Sequence, residues 1–224
     1  MQKTAEYQAL LYAFKQDGCS ICRLTHAYVH RYLETWKYEL FTDGDVRQQL
    51  RRSQGFCHAH TRELVKMGAN LQLAQAYRDI ITDEIEQLKQ RAGDATPGGK
   101  FLRRIFEARR TPAGCLACQQ QEKTEDRYLD SLRKALLDEH FYQQFATSQG
   151  LCLPHFRLAS AIPAGNTPDA WLSLLRKAQL SCLQRLEEQL SEMIRKHDYR
   201  FKDEEHGPEM LSWKRAAGIV SGEE

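Results

Sequence analysis

A pair of short motifs, each present twice at one separation, is what most constrains this chain. Cys19-Ser20-Ile21-Cys22 is followed downstream by Gly55-Phe56-Cys57 and His60. Cys115-Leu116-Ala117-Cys118 is followed by Gly150-Leu151-Cys152 and His155. The copies are offset by 96 residues at Cys19 and Cys115, and by 95 at Cys57/Cys152 and His60/His155. The text between them agrees: Arg31-Tyr32-Leu33-Glu34 matches Arg127-Tyr128-Leu129-Asp130, and Ser53-Gln54-Gly55 matches Ser148-Gln149-Gly150. A repeat at a fixed offset defines the architectural unit. The reading is two pseudo-equivalent repeats, 1–92 and 100–197, joined by a linker at 93–99 and followed by a closing segment at 198–224.

The pattern within each repeat is helical. Tyr7, Leu10, Leu11 and Phe14 form an apolar stripe at helical spacing, and Phe101, Leu102, Ile105 and Phe106 match it before the second motif. Gly18 and Gly114 are read as the stops of these helices. A longer helix follows each Cys-x2-Cys, with Leu24, Tyr28, Leu33, Trp36 and Leu40 inward in one, and Tyr128, Leu129, Leu132 and Leu136 in the other. Asp43 signals a helix start. A long helix to about Arg91 should bury Leu73, Tyr77, Ile80, Ile81 and Leu88, and its counterpart should run from about Asp169 to His197. In the closing segment, Trp213, Ala216, Ala217 and Val220 suggest a short helix. No stretch alternates as a strand would. The expected fold is all-α, an internally duplicated helical bundle of two metal-stapled repeats.

Three thiolates and one imidazole complete a tetrahedral Zn²⁺ site. The simplest assignment gives each repeat its own ion: Cys19, Cys22, Cys57 and His60 in the first, Cys115, Cys118, Cys152 and His155 in the second. Helix starts favour this chemistry, because free amide groups there stabilise a thiolate. His58 is also available, but the repeat sets it against Leu153 and sets His60 against His155, so His60 is assigned. Buried inert cysteines or a disulfide within each Cys-x2-Cys would leave the repetition of Cys57, Cys152 and the histidines without a cause. Two zinc ions per chain are expected. The alternative is an iron–sulfur cluster, since clusters also accept histidine beside thiolates. Haem c is excluded, because Arg23 and Gln119 stand where its histidine would be.

The duplicated Cys-x2-Cys…Gly-(Phe/Leu)-Cys-x2-His motif, with a terminal Arg200-Phe201-Lys202-Asp203-Glu204-Glu205-His206-Gly207-Pro208-Glu209-Met210-Leu211-Ser212-Trp213-Lys214, resembles an uncharacterised bacterial family known only as a domain of unknown function. The resemblance spans nearly the whole chain. It implies a bacterial origin and no particular activity.

Other side chains carry weaker signals. His26, His30 and Glu34 share one helix face, matched by Glu122, Asp126 and Asp130 in the second repeat. A carboxylate-rich dimetal site between them is conceivable, but a solvated polar face is the preferred reading. Arg47, Arg51 and Arg52 form one basic cluster and Lys100, Arg103, Arg104, Arg109 and Arg110 another. The 32 basic and 30 acidic residues nearly cancel, which favours a protein partner over nucleic acid. Cys182 is read as a core cysteine. Phosphate loops, dinucleotide fingerprints and a Ser/His/Asp order are all missing, so a non-enzymatic interaction or scaffold module is expected. The rival is a redox protein with iron–sulfur clusters or redox-switchable zinc thiolates. The N-terminal stretch lacks a signal-peptide layout and no apolar run approaches membrane-spanning length. A cytoplasmic location fits the free cysteines.

Overall fold

The computed structural model describes residues 4–93, 114–161, 170–201 and 203–222. All regular structure among them is helical, and no strand occurs. The α-helices in chain order are α1 (Ala5–Ala13), α2 (Ser20–Tyr38), α3 (Gly44–Arg52), α4 (His58–Lys66), α5 (Asn70–Gly93), α6 (Leu116–Ala135), α7 (Glu139–Thr147), α8 (Leu153–Ala161), α9 (Ala170–Lys196) and α10 (Ser212–Ser221). Short 3₁₀ turns lie at Leu40–Thr42, Tyr199–Phe201 and Pro208–Leu211. The order long, short, short, long thus occurs twice, as α2–α5 and as α6–α9. The calls on 94–113 and 162–168, including the Phe101 stripe, the Lys100–Arg110 cluster and most of the linker, lie outside the described residues.

Local chemistry explains the starts. The Asp43 carboxylate accepts from Val46 N at 2.9 Å and Asp138 accepts from Phe141 N at 2.9 Å, so α3 and α7 carry the same N-cap 95 positions apart. Thr4 does this for α1, accepting from Tyr7 N. α1 ends at Ala13, before Gly18, whose left-handed φ of 84° belongs instead to the turn that enters Cys19. The glycine is a motif residue rather than the helix stop assigned to it.

The chain divides into two compact units that do not follow the repeats. One comprises Met1–Ala27 with Thr124–Glu224, the other Tyr28–Lys123. The expected boundary in the linker is therefore replaced by boundaries inside α2 and α6. In the first unit, Tyr7 of α1 and Phe14 at its C-terminal cap pack their rings on Phe141 of α7 at centroid separations of 5.0 and 5.1 Å, and Phe14 also meets Phe145 at 5.4 Å. Leu129, Leu132, Leu136, Trp171 and Leu175 complete this core. In the second unit, Leu33, Trp36, Leu50, Phe56 and Leu64 are buried together, with Trp36 edge-on to Phe56 at 5.0 Å.

Two helical faces differ from expectation. Leu73 of α5 is buried, but Ile81 and Leu88 are 58% and 55% exposed. In α10 the buried apolar residue is Ile219, while Trp213 and Val220 face outward. Both helices sit where the periodicity placed them. Their apolar residues simply outnumber the positions that a neighbour covers.

Candidate metal centres

Each motif places its ligands at a helix start. The carbonyls of Cys19 and Cys115 accept from the amides of Arg23 and Gln119, so each first cysteine sits at the entry to its helix, α2 or α6. The second cysteine follows one turn later on the same face. Cys57 is the N-cap of α4, with His60 in its first turn. Cys152 precedes α8 in the same way, and the His155 amide donates to its sulfur at 3.5 Å. Gly55 and Gly150 hold φ of 95° and 78°, the left-handed backbone that swings each Cys-x2-His inward.

The four motifs meet crosswise. Cys19, Cys22, Cys152 and His155 form one group of ligand atoms, and Cys57, His60, Cys115 and Cys118 form the other. Within each group all four atoms lie within 4.8 Å of one another. The expected in-repeat sets, Cys19/Cys22/Cys57/His60 and Cys115/Cys118/Cys152/His155, are thereby corrected. The reason is length. α2 has 19 residues and spans about 28 Å, whereas the nine-residue α3 that returns the chain covers about 13 Å. The Cys-x2-His of a repeat therefore does not reach back to its own Cys-x2-Cys. All eight residues singled out from the sequence are brought together, with exchanged partners.

In the first centre, His155 Nδ1 stands 3.6 Å from Cys19 Sγ, 3.3 Å from Cys22 Sγ and 3.1 Å from Cys152 Sγ, and the sulfurs of Cys22 and Cys152 are 3.7 Å apart. In the second, His60 Nδ1 stands 3.2 Å from Cys57 Sγ, 3.6 Å from Cys115 Sγ and 3.5 Å from Cys118 Sγ, and Cys57 and Cys118 are 3.7 Å apart. All four residues of the first centre are buried. In the second, His60 and Cys115 are buried while Cys57 and Cys118 are partly exposed. His58 is exposed and outside the group, as the repeat alignment requires.

Supporting contacts hold the first centre in shape. The Gln149 side chain accepts from Gly18 N at 2.8 Å and donates to Asp17 at 2.6 Å, tying together the two turns that carry the ligands. Buried Gln179 both donates to Leu151 O and accepts from Leu151 N, at 2.8 and 2.9 Å. In the second centre Tyr77 takes this place, its hydroxyl accepting from Phe56 N at 3.3 Å and pairing with Thr61 at 2.7 Å. A carboxylate oxygen of Glu125 approaches His155 Nε2 at 3.6 Å. These buttressing roles had no sequence signal except the repeat of Gln54 at Gln149.

The electrostatics suit a cation. Hydrogen bonds from Cys152 and Cys22 hold the Cys19 thiol far below its ordinary range. Burial works against a proton on His155, but hydrogen bonds to Cys152, Cys19 and Glu125 outweigh it and push the imidazole up to about 11. Burial, then the neighbouring Cys115 and Cys57, pushes the Cys118 thiol up to about 12. Three sulfurs this close cannot all ionise without a positive charge among them. A divalent ion would supply that charge and displace the protons.

The remaining candidates do not cluster as ligands among the described residues. His26, His30, Glu34, Glu122 and Asp126 are exposed. His30 pairs with Glu63 at 2.9 Å, and Asp130 pairs with Arg133 and Lys134. The face is solvated and ion-paired. Arg47 and Arg51 are matched by Asp79 and Asp83 of α5, which offsets that basic cluster. Cys182 is buried, and burial raises its thiol.

The chain is similar to an uncharacterised 23.9 kDa protein encoded in the xynA 3′ region of Caldicellulosiruptor sp. (strain Rt8B.4), at 24% identity over 216 residues, which cover 93% of this chain and 97% of that one. No solved structure matches it. A family profile matches residues 8–223, a span that includes both ligand groups and the closing helix, and the chain belongs to the family of unknown function DUF6062.

Proposed function

We propose that this is a non-enzymatic helical protein whose two Cys3His groups each hold a structural Zn²⁺, and that the stapled bundle serves as a docking module for a protein partner. The spacing of the ligand atoms carries the reading. With Zn–S of about 2.3 Å and Zn–N of about 2.0–2.1 Å, a tetrahedron sets sulfurs about 3.8 Å apart and sulfur and nitrogen about 3.5 Å apart. One sulfur pair in each group stands at 3.7 Å, the sulfur–nitrogen pairs span 3.1–3.6 Å, and all four ligand atoms of a group lie within 4.8 Å of one another. A cluster would divide its four ligands among several irons and hold them farther apart than one ion does. Four protein ligands also fill a tetrahedron, leaving no position for substrate, which supports a structural role over a catalytic one. None of the seven cysteines is in a disulfide, in keeping with a reducing, cytoplasmic setting. No helix among the described residues is long and apolar enough to cross a membrane.

Metal analysis of the full chain purified without air tests this. Two zinc ions per chain and a colourless protein are expected. A brown protein containing iron and sulfide overturns the zinc reading in favour of the redox alternative. Pull-down from a bacterial lysate, compared with the zinc-stripped chain, tests the docking role. Partners that bind both forms equally would remove the stapled bundle from the recognition.

A further inference from the structure

We infer that the two centres are functionally unequal: the Cys19/Cys22/Cys152/His155 centre is a permanent staple, while the Cys57/His60/Cys115/Cys118 centre is the exchangeable one, where peroxide-class oxidants and zinc acceptors act. This rests on the zinc reading and deepens it.

Three independent features separate the centres. The first is access. Every ligand of the permanent centre is buried, Cys152 completely, whereas Cys57 and Cys118 reach the surface. The end of α10 lies over the permanent centre as well, since a β-carbon built on Gly222 would stand 4.0 Å from the sulfurs of both Cys22 and Cys152. The second is the carboxylate on the far ring nitrogen. Glu125 stands 3.6 Å from His155 Nε2, where its charge favours one ring orientation and would raise the basicity of Nδ1 towards a metal. Among the described residues no carboxylate meets His60, and the repeat places the apolar Val29 where Glu125 stands in the other copy. The third is the buttress. Gln179 grips the ligand turn at Leu151 with two buried hydrogen bonds, where Tyr77 offers one contact to Phe56 from a partly exposed position.

The exposed pair is also arranged to react. The sulfurs of Cys57 and Cys118 are 3.7 Å apart and belong to different helices. A thiolate of the pair attacks one oxygen of a peroxide, the O–O bond breaks, hydroxide leaves and a sulfenic acid forms. The second thiolate attacks that sulfur and expels another hydroxide, closing a disulfide. Two thiolates are oxidised by two electrons, the peroxide is reduced to two hydroxides, and Zn²⁺ loses two of its four ligands and departs.

The test uses the full zinc-loaded chain. Zinc content is measured first, and then release to the chromogenic chelator 4-(2-pyridylazo)resorcinol is followed. One ion should leave at least tenfold faster than the other. One equivalent of hydrogen peroxide should release one zinc, and peptide mapping should find Cys57 joined to Cys118 with Cys19, Cys22 and Cys152 still alkylatable after denaturation. Glu125→Gln should speed the slow ion about tenfold and leave the fast one unchanged. Cys118→Ala should abolish the fast phase, but the wild-type mapping decides the matter if that variant does not fold. A chain holding two zinc ions that leave together, or a first oxidation at Cys19, Cys22 or Cys152, overturns this inference alone. A chain without zinc overturns the reading beneath it too.

Discussion

Cys22 and His155 are separated by 133 positions in the chain, yet the sulfur of one stands 3.3 Å from the ring nitrogen of the other. The members of one candidate ligand group therefore come from opposite halves of the sequence. Double variants measure this directly. Cys22→Ala with His155→Ala should cost one zinc, because both residues belong to the same group. Cys22→Ala with Cys57→Ala should cost two. In-repeat pairing would reverse these counts, so metal stoichiometry alone discriminates between the arrangements. Stability should fall with each lost ion, since binding energy at such a site is largely folding energy.

His58 offers a control within the same turn. It is exposed while His60 is buried among three sulfurs. His58→Ala should keep both ions, and His60→Ala should lose one. Retention of both ions by His60→Ala would show that His58 can replace it.

The two motif glycines should differ in their tolerance of a methyl group. A β-carbon on Gly150 would lie 2.9 Å from Gln179 Oε1 and 3.1 Å from the Cys182 β-carbon, while one on Gly55 would meet the Tyr77 ring at 3.2 Å. Both positions have left-handed backbones, which alone cost a non-glycine residue about 1–3 kcal/mol. Gln179 is buried and doubly bonded, so it cannot yield as the half-buried Tyr77 ring can. Gly150→Ala should lower the denaturation midpoint more than Gly55→Ala. Equal losses would mean that backbone strain, not the neighbour, sets the cost.

Acid should loosen the closing segment through Glu209. Its carboxylate is bonded by Lys196 at 2.8 Å and by Gly207 N at 2.8 Å, which hold its pKa down to about 2 from an ordinary 4.5. A depressed carboxylate stabilises the fold fully above its unfolded pKa and loses that contribution as pH falls through the folded value. The stability difference between wild type and Glu209→Gln should be constant above about pH 4.5 and shrink towards pH 2. Comparing the two proteins cancels metal loss common to both. A difference that stayed flat across that window would remove Glu209 as the acid-sensitive group.

Phe141 is fully buried between Tyr7 and Phe14, so Phe141→Ala should open a cavity and cost about 3–5 kcal/mol. Denaturant titration of the zinc-loaded protein measures it. A loss under about 1 kcal/mol would mean that α1 repacks over the gap.

Helix positions, the N-cap at Asp43 and the eight Cys and His residues that gather into two groups were legible in the sequence, because periodicity, cap chemistry and a fixed offset are local or one-dimensional signals. Partnership was not. A repeat reports that Cys19 and Cys115 are equivalent, but equivalence is the same whether each meets its own Cys-x2-His or the other's. Only the unequal lengths of α2 and α3 decide that, and their geometric consequence emerges in three dimensions. Ile81 and Leu88 carried the periodicity of core residues without a neighbour to bury them among the described residues. Glu125, Gln179 and Tyr77 had no motif at all, since a buttress is defined by what it touches.

Because each ligand group draws on both halves, a single protease cut between residues 94 and 113 would not release two independent fragments. The pieces would stay associated through both ligand groups and through the packing of Tyr7 and Phe14 on Phe141, as a non-covalent pair that a chelator would weaken. Neither piece expressed alone would own one complete set of ligands, so each half would need the other present in order to load metal at all.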